Sequence, residues 1–206
     1  MSQFFQIHPE NPQVRLVRQA VDIIEQGGVI AYPTDSAYAL GCHLDDKRAV
    51  DRIRQIRKLS DKHNFTLMCR DLSDISTYAK VSNVQYRQIK AHTPGAYTFI
   101  LDATTEVPRR LMNPKRRQIG IRIPDNQIAL ALLEELAQPL MSTTLILPGD
   151  DDPMTDPYDI RATLEHFLDL VIDGGFCGFN ATSVVDLSSE PPVIIREGCG
   201  DVSAFT

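Results

Sequence analysis

Most of the short motifs that would assign a chemistry at once are missing from this chain. Neither G-x-x-x-x-G-K-[ST] nor G-x-G-x-x-G occurs, and the clusters Gly174-Gly175 and Gly198-Cys199-Gly200 lack the lysine and the spacing of a phosphate cradle. Any nucleotide must therefore be held by another kind of site. Cys42, Cys69, Cys177 and Cys199 lie far apart with no C-x-x-C pair, and His8, His43, His63, His92 and His166 show no i, i+2 or i, i+4 pairing. No zinc, transition-metal or redox site is expected, and the cysteines read as reduced, mostly buried thiols. Nowhere do eighteen apolar residues follow one another, and the opening MSQFFQIHPENPQ has no basic stretch before an apolar run. Neither a membrane span, a membrane partner nor secretion is expected, and the location implied is cytoplasmic. There are no internal repeats and no low-complexity tracts.

What is present suits one globular unit. With 206 residues, 43 % of them apolar and 23 % charged, the chain is long enough to bury one substantial core, so a single domain over residues 1–206 is expected. The net charge of −6 is unevenly spread. Residues 1–149 hold 19 Lys and Arg against 15 Asp and Glu, whereas residues 150–206 hold 2 against 12. Partner arguments must use that local asymmetry. It serves either solubility or a division between a face for anions and an acidic face for docking.

Asn11-Pro12 reads as a helix start, and Val14, Val17, Ala20, Val21 and Ile24 recur at helical spacing until Gly27-Gly28. Val29 to Tyr32 is a short apolar strand stopped by Pro33. A second helix is predicted over about Asp46 to Arg57, a strand over Phe65 to Met68, and helical spacing returns at Val84 to Ile89. Strands follow at Tyr97–Leu101, Ile119–Ile123 and Leu140–Thr143, with a helix at Ala129–Leu136 between the last two. The acidic segment Gly149 to Pro153 is a loop, Ile160 to Phe167 a helix, and Leu170–Ile172, Ser183–Leu187 and Val193–Ile195 strands. Strands outnumber helices, which favours an α/β fold of the α+β type with a mixed sheet.

Two segments could carry chemistry. Pro33-Thr34-Asp35-Ser36 places hydroxyls and a carboxylate just past a buried strand, where they either meet a ligand or simply make a turn. Ser36 would be a nucleophile only with a base within reach, and His43 and His63 are the candidates. From Arg109 to Arg122 the chain carries Arg109, Arg110, Lys115, Arg116, Arg117 and Arg122 without one acidic residue. That density either neutralises phosphates at the end of the sheet or marks a solvated loop. Aromatics are sparse there, so base stacking like that of RNP-type sheets is not expected of that segment.

Read in order, the segments Pro33 to Gly41, Pro94-Gly95-Ala96-Tyr97-Thr98, Arg122-Ile123-Pro124, Ser142-Thr143-Thr144, Thr182 to Asp186 and Ile195-Arg196-Glu197-Gly198 resemble the YrdC-like family. The opening residues and His63 to Met68 are most similar to its YciO branch. The resemblance implies a twisted open mixed sheet, flanking helices and a large concave groove for nucleotide, threonine or double-stranded RNA. Catalytic members make threonylcarbamoyl-AMP from threonine, bicarbonate and ATP for a tRNA modification. Carried over by position, Thr34 and Ser142 face the amino acid, Thr144 and Arg196 the nucleotide, and Arg122 the groove wall. Ser36, Arg57, His63 and Thr66 complete the expected ligand set. Arg109, Arg110, Lys115, Arg116 and Arg117 are the expected contacts to duplex RNA or tRNA. No cofactor is expected to be tightly bound, with ATP and its Mg²⁺ entering as substrate. The catalytic pattern is incomplete: Arg57-Lys58-Leu59 stands where catalytic members show K-x-R, Thr144-Leu145-Ile146 where they show S-x-N, and Asn126 where histidine is frequent. Full turnover would require Lys58 or Lys62 to supply the second cation. Otherwise the chain binds ligand with weak or altered catalysis, or acts as an interaction module through its acidic last quarter.

Overall fold

The computed structural model describes residues 1–60 and 63–206, and Lys62 lies outside the described residues. The elements run β1 (Gln3–Gln6), α1 (Val14–Glu25), β2 (Ile30–Tyr32), β3 (Ala39–His43), α2 (Lys47–Arg57) and β4 (Thr66–Met68), then α3 (Leu72–Tyr78), β5 (Ala79–Lys80), α4 (Asn83–Ala91) and β6 (Tyr97–Ala103). The second half holds β7 (Gln118–Arg122), α5 (Gln127–Leu136), β8 (Leu140–Thr144), α6 (Pro157–Leu164), β9 (Leu170–Asp173), β10 (Ser183–Asp186) and β11 (Val193–Arg196). The strands form one sheet in the order β1-β9-β2-β3-β8-β4-β7-β6-β10-β11, with β5 beside β6. Pairing is mixed: β2–β9, β4–β7 and β6–β10 are parallel, β2–β3, β3–β8, β4–β8 and β6–β7 antiparallel. This is the mixed α/β architecture that the strand-rich pattern predicts.

Alternation along the strands sorts side chains to two faces. On one face Leu40, Leu67, Met141, Phe99 and Ile121 bury against Ala49, Val50 and Ile53 of α2, Ile75 of α3, Ile89 of α4 and Ile160 and Leu164 of α6. On the other, Ile30, Tyr32, Ala39, Leu140, Leu170 and Ile172 bury against the apolar stripes of α1 and α5. Those two helices cover only part of their face. Beyond them the same face carries small and polar residues: Ser142 is paired with Thr66 and Thr66 with Gly120. A Cβ on Gly120 would lie 2.9 Å from Thr66 Oγ1 and 3.1 Å from Thr98 Cγ2, so the strip is tightly joined. Buried polar positions of this kind are retained only when partnered.

Several elements differ from the periodicity reading. The Asn11-Pro12 start is replaced by Val14, because His8 Nδ1 accepts from the Glu10 and Asn11 amides and holds those residues in a turn. The predicted Ile160–Phe167 helix starts earlier, where the Asp156 side chain accepts from Tyr158 N and Pro157 takes the first helical position. Strand β3 escaped the pattern because Gly41 interrupts it. The glycine is demanded by packing, since a Cβ there would lie 2.7 Å from Leu140 Cδ2 and 2.9 Å from Tyr32 Cε1. Strands β1 and β5 and helix α3 were also missed, being two to seven residues long. Cys42 and Cys69 are buried, but Cys177 is only partly so and Cys199 is exposed, a correction to the expectation of mostly buried thiols.

Candidate functional site

The turn after β2 folds around Thr34. Its hydroxyl donates to Ala37 O at 2.6 Å and accepts from the Ser36 and Ala37 amides at 3.2 Å, which fixes the 34–37 turn and leaves Thr34 and Ser36 buried. Ser36 Oγ lies 3.2 Å from Thr34 Oγ1. No histidine serves it: His43 is engaged with Gln138 and the Asp45 amide, and His63 with Thr143. Ser36 is a turn residue here, and the nucleophile reading has no base.

Arg122, at the end of β7, reaches into this turn. Its Nη2 donates to Thr34 Oγ1 at 3.3 Å and pairs with Asp35, in a contact where both side chains are buried, at 6 % and 12 % exposure. Its Nε is buried and, among the described residues, has no partner. Tyr32 stands next to this pair on β2 and shares a 2.6 Å hydrogen bond with Ser142 Oγ on β8. Burial pushes the Tyr32 phenol up to about 12, so it stays protonated and neutral.

A second arginine sits at the C-terminal end of α2. Arg57 donates through Nε to Ile146 O at 2.9 Å and through Nη1 to Thr143 Oγ1 at 2.7 Å. That leaves the Thr143 proton for His63 Nε2, 3.3 Å away. Burial, with Arg57 and Arg54 nearby, brings His63 down to about 4, so its ring is neutral at pH 7. The third arginine, Arg196 on β11, donates to Thr182 O at 2.9 Å and Thr182 Oγ1 at 3.1 Å, and Thr182 in turn meets Thr98 at 2.9 Å. Burial and then repulsion from Arg196 lower Arg57 to about 10, while burial and repulsion from Arg122 lower Arg196. Arg196 on β11 thus links the other two, acting on Arg57 of α2 and acted on by Arg122 of β7. Of the partners of the three among the described residues only Asp35 is charged, and the others are neutral oxygens.

The expected ligand residues therefore fall into linked groups. Thr34, Asp35, Ser36 and Arg122 form one, joined through Tyr32 to Ser142 and through Ser142 to Thr66. Arg57 and His63 meet at Thr143, and Arg196 meets the sheet at Thr182. Thr144 ends β8 opposite Ala39, and its carbonyl accepts from Ile146 N at 3.0 Å. Sequence reading missed Thr143, Thr182 and Asp35 as partners of the arginines and Tyr32 as the partner of Ser142. Tyr32 and Thr143 sit inside apolar strand patterns, where only the sheet register reveals their partners, whereas Asp35 was visible as a carboxylate in a turn.

The basic β6–β7 loop is a separate surface. Arg109, Arg116 and Arg117 line a cavity of about 740 Å³ with Lys80, Thr104 and Asn113, and Asp102 is its one acidic wall. Lys115 is exposed in the same loop. Arg110 turns away, donating to the carbonyls of Leu44 and Asp45. Asn126, at the position where the resembled family frequently has histidine, caps α5 by accepting from Ala129 N at 3.0 Å. No group of three His, Cys, Asp or Glu is placed to hold a metal among the described residues, and no helix there is long and apolar enough to cross a membrane.

The family model described as Sua5_yciO_yrdC, telomere recombination, matches residues 22–198. The chain belongs to the Sua5/YciO/YrdC family. It superposes on the crystal structure of Escherichia coli YciO with a TM-score of 0.98, at 58 % identity and with all of both chains covered. A threonylcarbamoyl-AMP synthase of Vibrio vulnificus is 28 % identical over 142 residues, 68 % of this chain and 76 % of that one. The crystal structure of P. abyssi Sua5 complexed with L-threonine shares the fold, with a TM-score of 0.88 at 24 % identity, over 96 % of this chain and 58 % of that one. Of the residues where this chain departs from the catalytic pattern, Leu59 packs against the core and Ile146 lends Arg57 its carbonyl. Lys58 lines a cavity of about 380 Å³ with Leu164, His166 and Phe167, on the α6 side of α2.

Proposed function

We propose that this chain binds a nucleotide through Arg57, Arg122 and Arg196 and that any adenylation step it performs is weak or altered. The observation that carries the reading is the charge balance of the centre. Arg122 is buried, Arg57 half-buried and Arg196 exposed, Arg196 is repelled by Arg122 and itself repels Arg57, and a single carboxylate is among their partners in the described residues, so an anionic ligand relieves both the repulsion and the unpartnered Nε of Arg122. Phosphates suit this geometry, because planar guanidinium forks bind tetrahedral oxyanions through charge-assisted hydrogen bonds worth roughly 1.5–3 kcal/mol each. Ser142 and Thr66 offer neutral hydroxyls along the same strip, the chemistry that an amino-acid co-substrate such as threonine requires, whereas the Thr34 hydroxyl is spent on its own turn and on Arg122.

Weak or altered catalysis follows from the residues beside that centre. Adenylyl transfer depends on positioning and on cations that neutralise charge developing at the phosphate. Leu59 supplies no cation, Ile146 no amide, and Lys58 points to the α6 side. The decisive measurement is threonine- and bicarbonate-dependent release of pyrophosphate from ATP with Mg²⁺, beside ATP binding under the same conditions. Binding with turnover far below that of a threonylcarbamoyl-AMP synthase is the expected result. Full turnover surviving Lys58→Ala and Lys62→Ala defeats it, and binding of neither ATP nor RNA favours an interaction module.

A second reading, double-stranded RNA or tRNA on the β6–β7 loop, is favoured by the cavity walled by Lys80, Arg109, Arg116 and Arg117. A-form duplexes hide base edges in a deep, narrow major groove, so these side chains would meet phosphates and 2′-hydroxyls, and binding would be sequence-tolerant and salt-sensitive.

A further inference from the structure

The β9–β10 connection, residues 174–182, carries two large apolar side chains in solvent: Phe176 is 78 % exposed and Phe179 68 %. Its backbone is fastened along its whole length. Gly175 O accepts from the Tyr38 hydroxyl at 2.8 Å, Cys177 N donates to Thr155 O at 3.2 Å, and Cys177 Sγ lies 3.6 Å from Thr34 O. Gly178 presses so closely on the Thr34 turn that a Cβ would lie 2.8 Å from Ser36 O. Further along, Asn180 O and Ala181 O accept from Cys199 at 3.1 and 3.0 Å, and Thr182 O holds Arg196. The loop is thus a strap tied at one end to the turn that holds Arg122 and at the other to Arg196. Fixed at those points, the connection that joins the Thr34 turn to Arg196 carries both phenylalanine rings in solvent.

We propose that Phe176 and Phe179 are a stacking platform for the nucleobase of the ligand whose phosphates the three arginines hold. The inference rests on the nucleotide reading above and adds to it where the base lies. Rings on a strap tied to a cation centre fit a molecule that is flat and apolar at one end and anionic at the other, and nucleotides have that division. Phenylalanine offers a π face and no hydrogen-bonding group, so the platform tolerates any base. The base belongs either to a free nucleotide or to an unpaired nucleotide of an RNA, and the recognition chemistry is the same.

Titration calorimetry of the full chain tests this with ATP, GTP, inorganic tripolyphosphate and a short single-stranded oligoadenylate. Wild type is expected to bind ATP and GTP alike and both more tightly than tripolyphosphate. Phe176→Ala/Phe179→Ala should weaken the base-bearing ligands by roughly 5- to 100-fold, as loss of base–aromatic stacking does, and leave tripolyphosphate unchanged. Phe176→Leu/Phe179→Leu keeps apolar surface without the π face and should behave like the alanine variant, while unchanged thermal denaturation shows that both are folded. A loss confined to oligoadenylate assigns the base to RNA, and a loss with ATP assigns it to a free nucleotide. If the alanine variant binds ATP and oligoadenylate as wild type does while tripolyphosphate still binds, the platform is refuted and the phosphate centre stands. If wild type binds none of the four, both readings fall.

Discussion

Two basic regions of this molecule differ in how their arginines are held. In the guanidinium centre Arg57, Arg122 and Arg196 are each fixed by two protein oxygens; Arg122 is buried, Arg57 half-buried and Arg196 exposed on β11, and partial desolvation with repulsion from a neighbouring arginine lowers Arg57 and Arg196. In the β6–β7 loop Arg109, Lys115, Arg116 and Arg117 are exposed. The same residue type therefore has two physical meanings. Withdrawn cations interact strongly over short range and reward one ligand geometry, whereas exposed ones are screened within about 10 Å at 0.1 M salt and reward any dense anion. Arg110 shows that the boundary is drawn by packing and not by position in the sequence, since it lies within the basic run yet is spent on the carbonyls of Leu44 and Asp45.

The sharpest test of that contrast is the buried pair. Asp35→Asn leaves Arg122 charged and uncompensated, and loss of one partner of a buried ion pair costs about 3–5 kcal/mol. Denaturant unfolding should show that loss. The variant should also bind tripolyphosphate more tightly than wild type and regain stability when it is added. A stable Asp35→Asn protein with unchanged anion affinity would show that the centre is solvated like the loop.

Next in size, Arg57→Ala or Arg196→Ala should lower ATP affinity by about 1.5–3 kcal/mol, the worth of a charge-assisted contact, and leave duplex RNA affinity unchanged. Arg116→Ala with Arg117→Ala should do the reverse. It should weaken duplex RNA binding and flatten the dependence of log K on log[salt] by roughly one to two units, with ATP binding intact. Electrophoretic shift at two salt concentrations beside nucleotide titration reads both, and loss of both ligands in either variant would merge the two regions into one.

Smaller again is the pH response of the centre. His63 is lowered to about 4 by burial and by Arg57 and Arg54, so between there and its ordinary value near 6.5 the unfolded chain binds the extra proton. This stabilising contribution is complete above about 6.5 and is lost as pH falls towards 4. His63→Gln should therefore show a shallower decline in stability over that window, measured by urea unfolding. An unchanged slope assigns the decline to other groups. The least effect is expected from Asp150, Asp151 and Asp152, all exposed. Their replacement by asparagine should tighten RNA binding at low salt only.

Much of the scaffold could be read from the residues. The apolar runs of β2, β6, β7 and β8 and the stripes of α1, α2 and α5 are strong periodic signals, and they lie where the pattern put them apart from small shifts in their ends. Strand β3 was lost because Gly41 looks like a break until Leu140 and Tyr32 are seen against it. The site was legible as residue types in an ordered set of segments. It was not legible as pairings: nothing in the local pattern joins Asp35 to Arg122, Tyr32 to Ser142 or Arg57 to Thr143, separated by 87, 110 and 86 residues.

By itself the sequence determined the periodicities that make an α/β fold, the family segments in their order, the basic run, the acidic last quarter and the apolar Leu59 and Ile146 at positions where the resemblance implies polar groups. These are properties of residues and their near neighbours, set by side-chain chemistry and by the 2.0 and 3.6 repeats. Tertiary structure alone decided which arginines are withdrawn from water, which are spent on carbonyls, and that Phe176 and Phe179 stay outside. Burial and electrostatic repulsion depend on distance through space, and strands remote along the chain fix that distance only when the sheet is assembled.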